Sequence, residues 1–357
     1  MLKLLILLFF SLVISKSAEP LVAFYQGEKW HFLDSDGKTM FENNRILDVN
    51  GYNEGLYNVV ADVKGEIKNC FMNTKGELVI ITNYDEIKDF NFGKALVINN
   101  YPEELIDKRY GFINKDGKVF IKPSLIDATY FTEGLAYIYD ENRRGYIDTN
   151  GLMKISLEDG IVGYPFSEGI AAISNKEYKV SFINKLGKQI LPFDYQEPAY
   201  FVGGLAKANI DGVVGLMDIT GKIVINPQYS ELNKFSEGCS FVGILGAGMK
   251  YNWALIDSTG QKLTQNIFKD VQYFSGGFCG VKENEEWYFI DKTGKTVLRN
   301  DYTYCGYFSG KNPIAWISYR IDNVKMSAFI NTKGEEVIKL PNNIIKAIDL
   351  RVNKEMY

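Results

Sequence analysis

An all-β tandem-repeat fold is predicted by three features of this 357-residue chain. A short turn of the form Asx-x-x-Gly recurs nine times. A second mark, aromatic-x-x-Gly, falls between successive turns. The segments between them are short apolar or alternating runs bounded by turn residues, with no helical period, which is the pattern of strands. The unit length is about 37 residues, within the range of solenoids and propellers.

The first residues, MLKLLILLFFSLVISKSAEP, read as a secretory signal over 1–18. Lys3 supplies the positive start, Leu4 to Ile14 an apolar run interrupted only by Ser11, and Ser15, Ser17 and Ala18 the small residues where a peptidase cuts. The run is short for a membrane span and no second one of sufficient length follows. The expectation is an exported chain (periplasmic, surface-bound or secreted) that starts near Ser17 to Leu21 and has no transmembrane span. Nine repeats then occupy 19–349, and 350–357 remain as a tail or capping strand.

The turn glycines are Gly37, Gly76, Gly117, Gly151, Gly187, Gly221, Gly260, Gly294 and Gly334. Three residues before each stands Asp or Asn: Asp34, Asn73, Asn114, Asp148, Asn184, Asp218, Asp257, Asp291 and Asn331. A short Asx side chain accepts a hydrogen bond from the backbone two residues on, and Gly closes the turn in the left-handed region. Asn replaces Asp freely, and copies such as NTKG lack the spaced carboxylates a calcium loop needs. These nine residues are therefore read as structural, with no metal.

The second mark reads YNEG at 52–55, FNFG at 90–93, FTEG at 131–134, FSEG at 166–169, FVGG at 201–204, FSEG at 235–238, FSGG at 274–277 and YFSG at 307–310. Each unit parses as a meander. One strand follows the mark, a second leads into the Asx turn, a third ends in several copies at Pro, as at Pro123, Pro192 and Pro227, and a tyrosine-rich fourth stretch runs to the next mark. A unit this short is tight for a four-stranded blade, and nine exceeds the usual blade number. The expected form is a propeller-like array or open β-solenoid, curved or spiralling in preference to a closed ring.

The copies at 110–138, 145–172 and 215–239 resemble the WG-repeat (KWG-repeat) family of bacterial proteins. That unit has a Trp-Gly-aromatic-Ile-Asp-x-x-Gly-Lys core and a Phe-Ser-Glu-Gly-Leu-Ala mark. The resemblance spans roughly 21–345 and makes this a divergent member, because no Trp-Gly dipeptide is present. Tyr110-Gly111, Arg144-Gly145 and Val214-Gly215 keep the glycine; Trp30, Trp253 and Trp287 keep the tryptophan. The resemblance implies repeat modules in exported proteins and carries over no catalytic residue.

Composition excludes some functions. The net charge of −4 leaves no basic footprint for nucleic acid. The single histidine, His31, is read as structural, and no nucleophile elbow or phosphate-binding loop is present. The recurring Glu133, Glu168 and Glu237 of the marks read as turn or cap residues. Cys70, Cys239, Cys279 and Cys305 match no zinc spacing and read as buried free thiols. No catalytic residue and no cofactor is predicted.

Length variation points elsewhere. From turn glycine to the next mark glycine the distance stays at 16–18 residues, whereas from mark to turn it ranges over 17–24. The insertions fall at 61–69, 99–109, 245–252 and 319–326, between the first and second strands. Insertions on one edge of a repeat array often mark the binding face. Tyr101, Arg109, Tyr251, Tyr319 and Arg320 are the candidate contacts there. The expected function is an exported, non-enzymatic binding scaffold for a protein or envelope glycan. Alternatives are carbohydrate or cell-wall binding through exposed tyrosines, and a propeller-type glycan-active enzyme.

Overall fold

The computed structural model describes residues 20–101, 108–197, 199–265, 267–310, 312–342, 344–351 and 354–355. The expected signal segment lies outside them. Nine antiparallel sheets follow one another along the chain and form a β-propeller. The only helical element among the described residues is a three-residue 3₁₀ turn, Ala247–Met249.

Blade 4 shows the plan. An inner strand, Asp127–Ala128, pairs with a second, Leu135–Tyr139, then a third, Arg144–Asp148, and an outer one, Met153–Ser156. The tyrosine-rich stretch before each mark therefore opens the next blade, pairing forward across the mark. Antiparallel alternation sends the marks and the Asx turns to one face of the disc. The hairpins between second and third strands emerge on the opposite face.

The ring closes. Blade 1 takes its second, third and outer strands from Pro20–Gln26, Lys29–Asp34 and Thr39–Asn43. Its inner strand, Lys346–Asp349, comes from the other end of the chain and pairs antiparallel with Pro20–Gln26. The expected open spiral is thus corrected. Nine blades fit into one circuit because the inner strands shrink to two residues in several blades. The core is divided accordingly, one cluster to each blade boundary. The closing boundary packs Leu21, Val22 and Phe24 of blade 1 against Trp316, Phe329 and Ile338 of blade 9.

Eight of the nine Asx turns repeat one hydrogen-bond scheme. The Asp34 carboxylate accepts from the amides of Asp36 and Lys38, and the Asn184 side-chain carbonyl from Leu186 and Lys188. In the Asn114 copy the Asp116 carboxylate takes the Lys118 amide.

Proline does not end the third segment of the notional unit, as the sequence suggests; it sits inside the outer strand. Val119–Leu125 contains Pro123 and Ile223–Tyr229 contains Pro227. In blade 6 Val214 pairs with Tyr229 and Leu216 with Ile225, so the outer strand bulges opposite Gly215. A proline is tolerated at such a bulge because no ladder bond is owed there. The bulge closes onto the glycine: a Cβ on Gly215 would stand 2.1 Å from the Ile225 carbonyl oxygen, and one on Gly145 2.0 Å from that of Ile155. The retained glycine of the repeat is thus a steric requirement of strand approach.

The mark joins neighbours. Ser167 donates its hydroxyl to the Phe201 carbonyl of the next blade, and Ser236 to that of Phe274. Glu168 accepts from the amides of Gly203 and Gly204 at 2.6 and 2.8 Å. Glu237 accepts from those of Gly276 and Gly277 and pairs with Lys292 of the following turn. Glu133 meets the Gly169 amide and Lys185 in the same way. The residues read from sequence as turn or cap groups act between blades.

Candidate functional site

Two cavities open on the axis and share Tyr130, Pro165 and Tyr200 in their walls. These three residues come from consecutive blades, 4, 5 and 6, each immediately before the mark phenylalanine. Tyr130 is 45% and Tyr200 49% exposed, while Phe131, Phe166 and Phe201 beside them are buried. The alternation of a strand explains the pair of environments: one side chain enters the blade boundary and its neighbour faces the channel.

The same position around the ring divides the channel wall. Blades 4 to 9 present Tyr130, Pro165, Tyr200, Lys234, Tyr273 and Tyr307. Tyr273 and Tyr307 stack at 4.1 Å, with Lys234 over the Tyr273 ring at 5.2 Å. Blades 1 to 3 present Asp349, Gly51 and Asp89. Burial pushes the Asp89 carboxyl above its usual range, partly offset by the Asn58 amide, which donates to it at 3.1 Å. Burial, then the neighbouring Tyr130 and Tyr164, raise Tyr200.

The first cavity encloses about 880 Å³ and runs past Asn58, Asp85 and Asp89. The second, about 570 Å³, enters the boundary of blades 6 and 7 and is lined by Leu205, Leu216, Phe235, Lys207, Asn209 and Glu197 among others. Beside it, blade 6 shows three strands among the described residues, Leu205–Ile210, Val213–Asp218 and Ile223–Tyr229. The residue three before the mark aromatic, which pairs in seven other blades, is Pro198 here and lies outside the described residues.

Lys207 Nζ lies 2.8 Å from Glu231 Oε1 and 3.3 Å from Glu197 Oε2. Burial alone would lower this lysine; the hydrogen bond and charge of Glu231, with Glu197, outweigh it and hold it above the usual value. Glu197 is held low by the Asn209 amide and then by Lys207. Asn209 Oδ1 and Thr132 Oγ1, in the same wall, are buried without a partner.

The loop residues expected to meet a partner are spread along the opposite face. The insertions at 61–69 and 319–326 are strand extensions, not loops. Leu56–Val63 and Glu66–Asn73 pair throughout, as do Ile314–Ile321 and Val324–Asn331 about a two-residue turn. Residues 102–107 of the 99–109 insertion lie outside the described residues. Tyr101 and Arg320 are exposed; Tyr251 packs against Trp253; Arg109 donates to the Lys108 carbonyl. Tyr319 is half-buried, pushed up to about 12 by burial and its hydrogen bond to Glu336. The structure does not gather these five into one pocket. His31 stacks on Phe24 and pairs with Glu42 at 2.9 Å, away from either cavity. Cys70, Cys239, Cys279 and Cys305 are free and buried.

Five segments, 71–101, 110–142, 181–213, 215–245 and 253–287, match the family model of the WG-containing repeat. The chain is a WG-repeat protein. The matched segments include Gly215 and also Gly111, where a Cβ would stand 2.6 Å from the Ile121 carbonyl oxygen; Gly145 falls between segments. No curated protein matches this WG-repeat chain. Among solved structures it is similar to a eukaryotic initiation factor, with 12% identity over 92% of this chain and 98% of the other and a TM-score of 0.62. It is also similar to BamB from Moraxella catarrhalis (11% identity, 89% and 90% covered, TM-score 0.39) and to dipeptidyl peptidase 4 from Porphyromonas gingivalis (13%, 85% and 60%, 0.48). At such identities the likeness shows the fold alone.

Lys207 and Asn58 are the functional candidates that sequence reasoning missed. Each stands on the second strand opposite the residue two before its Asx. The other seven blades hold Ala23, Leu96, Tyr137, Ala172, Phe241, Gly280 and Trp316 there. A lysine or asparagine at a position otherwise held by aliphatic or aromatic residues or glycine is visible once the nine copies are aligned by strand as well as by turn.

Proposed function

We propose that this protein is an exported binding scaffold that takes its ligand, an envelope glycan or a protein segment, at the shared mouth of the two axial cavities. The observation that carries this reading is the run Tyr130, Pro165, Tyr200 on three consecutive blades, with two half-exposed rings facing one opening. Amphipathic rings held by a rigid sheet bind at low entropic cost. The site binds without chemistry: Lys207 is neutralised by two carboxylates, which suits positioning more than proton transfer. Export rests on the apolar segment at 4–14. Leu21 is buried and its carbonyl accepts the Leu350 amide, so cleavage that spares the ring falls before Pro20. Envelope or culture fractions are expected to hold a chain whose N-terminal residue lies at or before Pro20.

The test is retention of the mature protein by envelope fractions, with the Tyr130→Ala/Tyr200→Ala variant beside it. The variant is expected to fold and to lose retention; full retention would overturn the reading. A second surface has an observation of its own. Tyr178 at 84%, Met249 and Ile321 are exposed apolar side chains at hairpin tips on the opposite face. If shortening 99–109 and 319–326 abolishes retention while the tyrosine variant keeps it, the hairpin edge is the contact.

A further inference from the structure

We propose that the cleft between blades 6 and 7 is a subsite for an uncharged pyranose unit of a glycan, with Tyr130 and Tyr200 at its mouth as the stacking platform. The inference deepens the channel reading above and rests on it. The cleft's volume, about 570 Å³, falls within the range of pockets that enclose small ligands, and its wall has their composition, mostly apolar with a few convergent polar groups.

Charge selects the class of ligand. Two lysines, Lys207 and Lys234, match two glutamates, Glu197 and Glu231, in number, so these four groups carry no net formal charge to favour an anion or a cation. What it offers is donors and acceptors together. The Asn209 amide is committed to Glu197, which leaves Oδ1 as a buried acceptor without a donor. Thr132 Oγ1, equally unpartnered, needs a group that can give and take a hydrogen bond. Leaving such atoms unmet is costly, and a sugar hydroxyl, which both donates and accepts, answers both. The rings supply the other half of sugar recognition: a pyranose has an apolar face of C–H groups that lies on an aromatic plane, while its rim carries hydroxyls.

Titration calorimetry of the mature chain with cellotetraose, chitotetraose and maltotetraose tests this, with tetragalacturonate and fully deacetylated chitotetraose as charged counterparts. The expected result is saturable binding of at least one neutral tetrasaccharide. Lys207→Met and Tyr200→Ala are each expected to weaken it roughly tenfold or more, and Tyr178→Ala on the opposite face to leave it unchanged. Tyr200 is half-exposed, so its variant keeps the test open should Lys207→Met fail to fold. Binding of only a charged oligosaccharide overturns the proposal, as does neutral binding that neither cleft variant weakens, or no sugar binding at all. If no sugar binds while Tyr130→Ala/Tyr200→Ala still abolishes envelope retention, the glycan assignment fails and the channel reading stands.

Discussion

Blade 1 and blade 6 invert what covalent continuity leads one to expect. Blade 1 is assembled from the two ends of the chain, yet its sheet has five strands, because Lys354–Glu355 adds to the inner strand. Blade 6 is one unbroken stretch, yet among the described residues it has three. The seam is also tied by side chains. Asp349, 5% exposed, receives two hydrogen bonds from the Arg351 guanidinium, which also donates to the Ser309 and Ile314 carbonyls of blade 9. Lys346 pairs with Asp48 of blade 2 at 2.9 Å. Where the backbone is cut, noncovalent ties to both neighbours replace it.

Breaking the seam is expected to have the largest effect. Arg351→Ala leaves a buried carboxylate unpaired and four hydrogen bonds unmade. Loss of one partner of a buried pair costs about 3–5 kcal/mol, read as a fall in the urea midpoint. Adding Asp349→Asn is expected to recover part of it, because no charge is then stranded. A loss no greater than that of an exposed pair, below about 1 kcal/mol, would mean that the strand ladder alone holds the ring.

Blade 6 should respond in the opposite sense. Lys207→Leu/Glu231→Gln replaces a partly buried ion pair by the kind of residue most other blades carry at that position. Such exchanges are often neutral or stabilising, so stability is expected to stay within about 1 kcal/mol of the parent while envelope retention and sugar binding are lost. A large destabilisation would instead make the pair a structural tie of blade 6.

The second polar insertion, Asn58–Asp89, gives a pH test. Asp89 is raised by burial, so its proton is held more tightly in the folded state. Stability from this group is full below the ordinary Asp value near 4 and is lost as pH rises through the higher folded value. Asp89→Asn is expected to match the parent at low pH and to gain over it as pH increases, seen as diverging melting temperatures between pH 4 and 7. Parallel curves would place the carboxylate in water.

The regular part of this molecule was the legible part. Asx and Gly at fixed spacing demand one turn, and nine copies of one turn imply nine equivalent units, because local backbone chemistry settles them. Closure was not legible. It depends on whether residues 346–349 reach residues 22–25, a contact across almost the whole chain that no local pattern encodes. The hairpin insertions misled for a related reason. A count of residues cannot distinguish a loop from two longer strands, as 61–69 shows. The cleft was hidden because no motif marks it: its walls come from residues of blades 4 to 7 that only the folded ring brings together.

The smallest expected effect sharpens the comparison at the marks beside the cleft. Glu168 adopts φ +53°, a conformation that costs a side chain roughly 1 kcal/mol, and its carboxylate holds the amides of Gly203 and Gly204. Blades 6 and 8 place glycine at the equivalent position, Gly203 and Gly276, also at positive φ. Glu168→Ala keeps the strained backbone and loses both hydrogen bonds, for an expected loss of about 1 kcal/mol. Glu168→Gly loses the same bonds but relieves the strain, for a net change of only a few tenths. Thermal unfolding of the two variants separates the terms. If alanine and glycine destabilise equally, strain is negligible and the loss measures the carboxylate bridge, which acts beside the Ser167 hydroxyl and the core cluster that also join blades 5 and 6. If glycine is harmless, relief of strain at this position offsets the bridge in full.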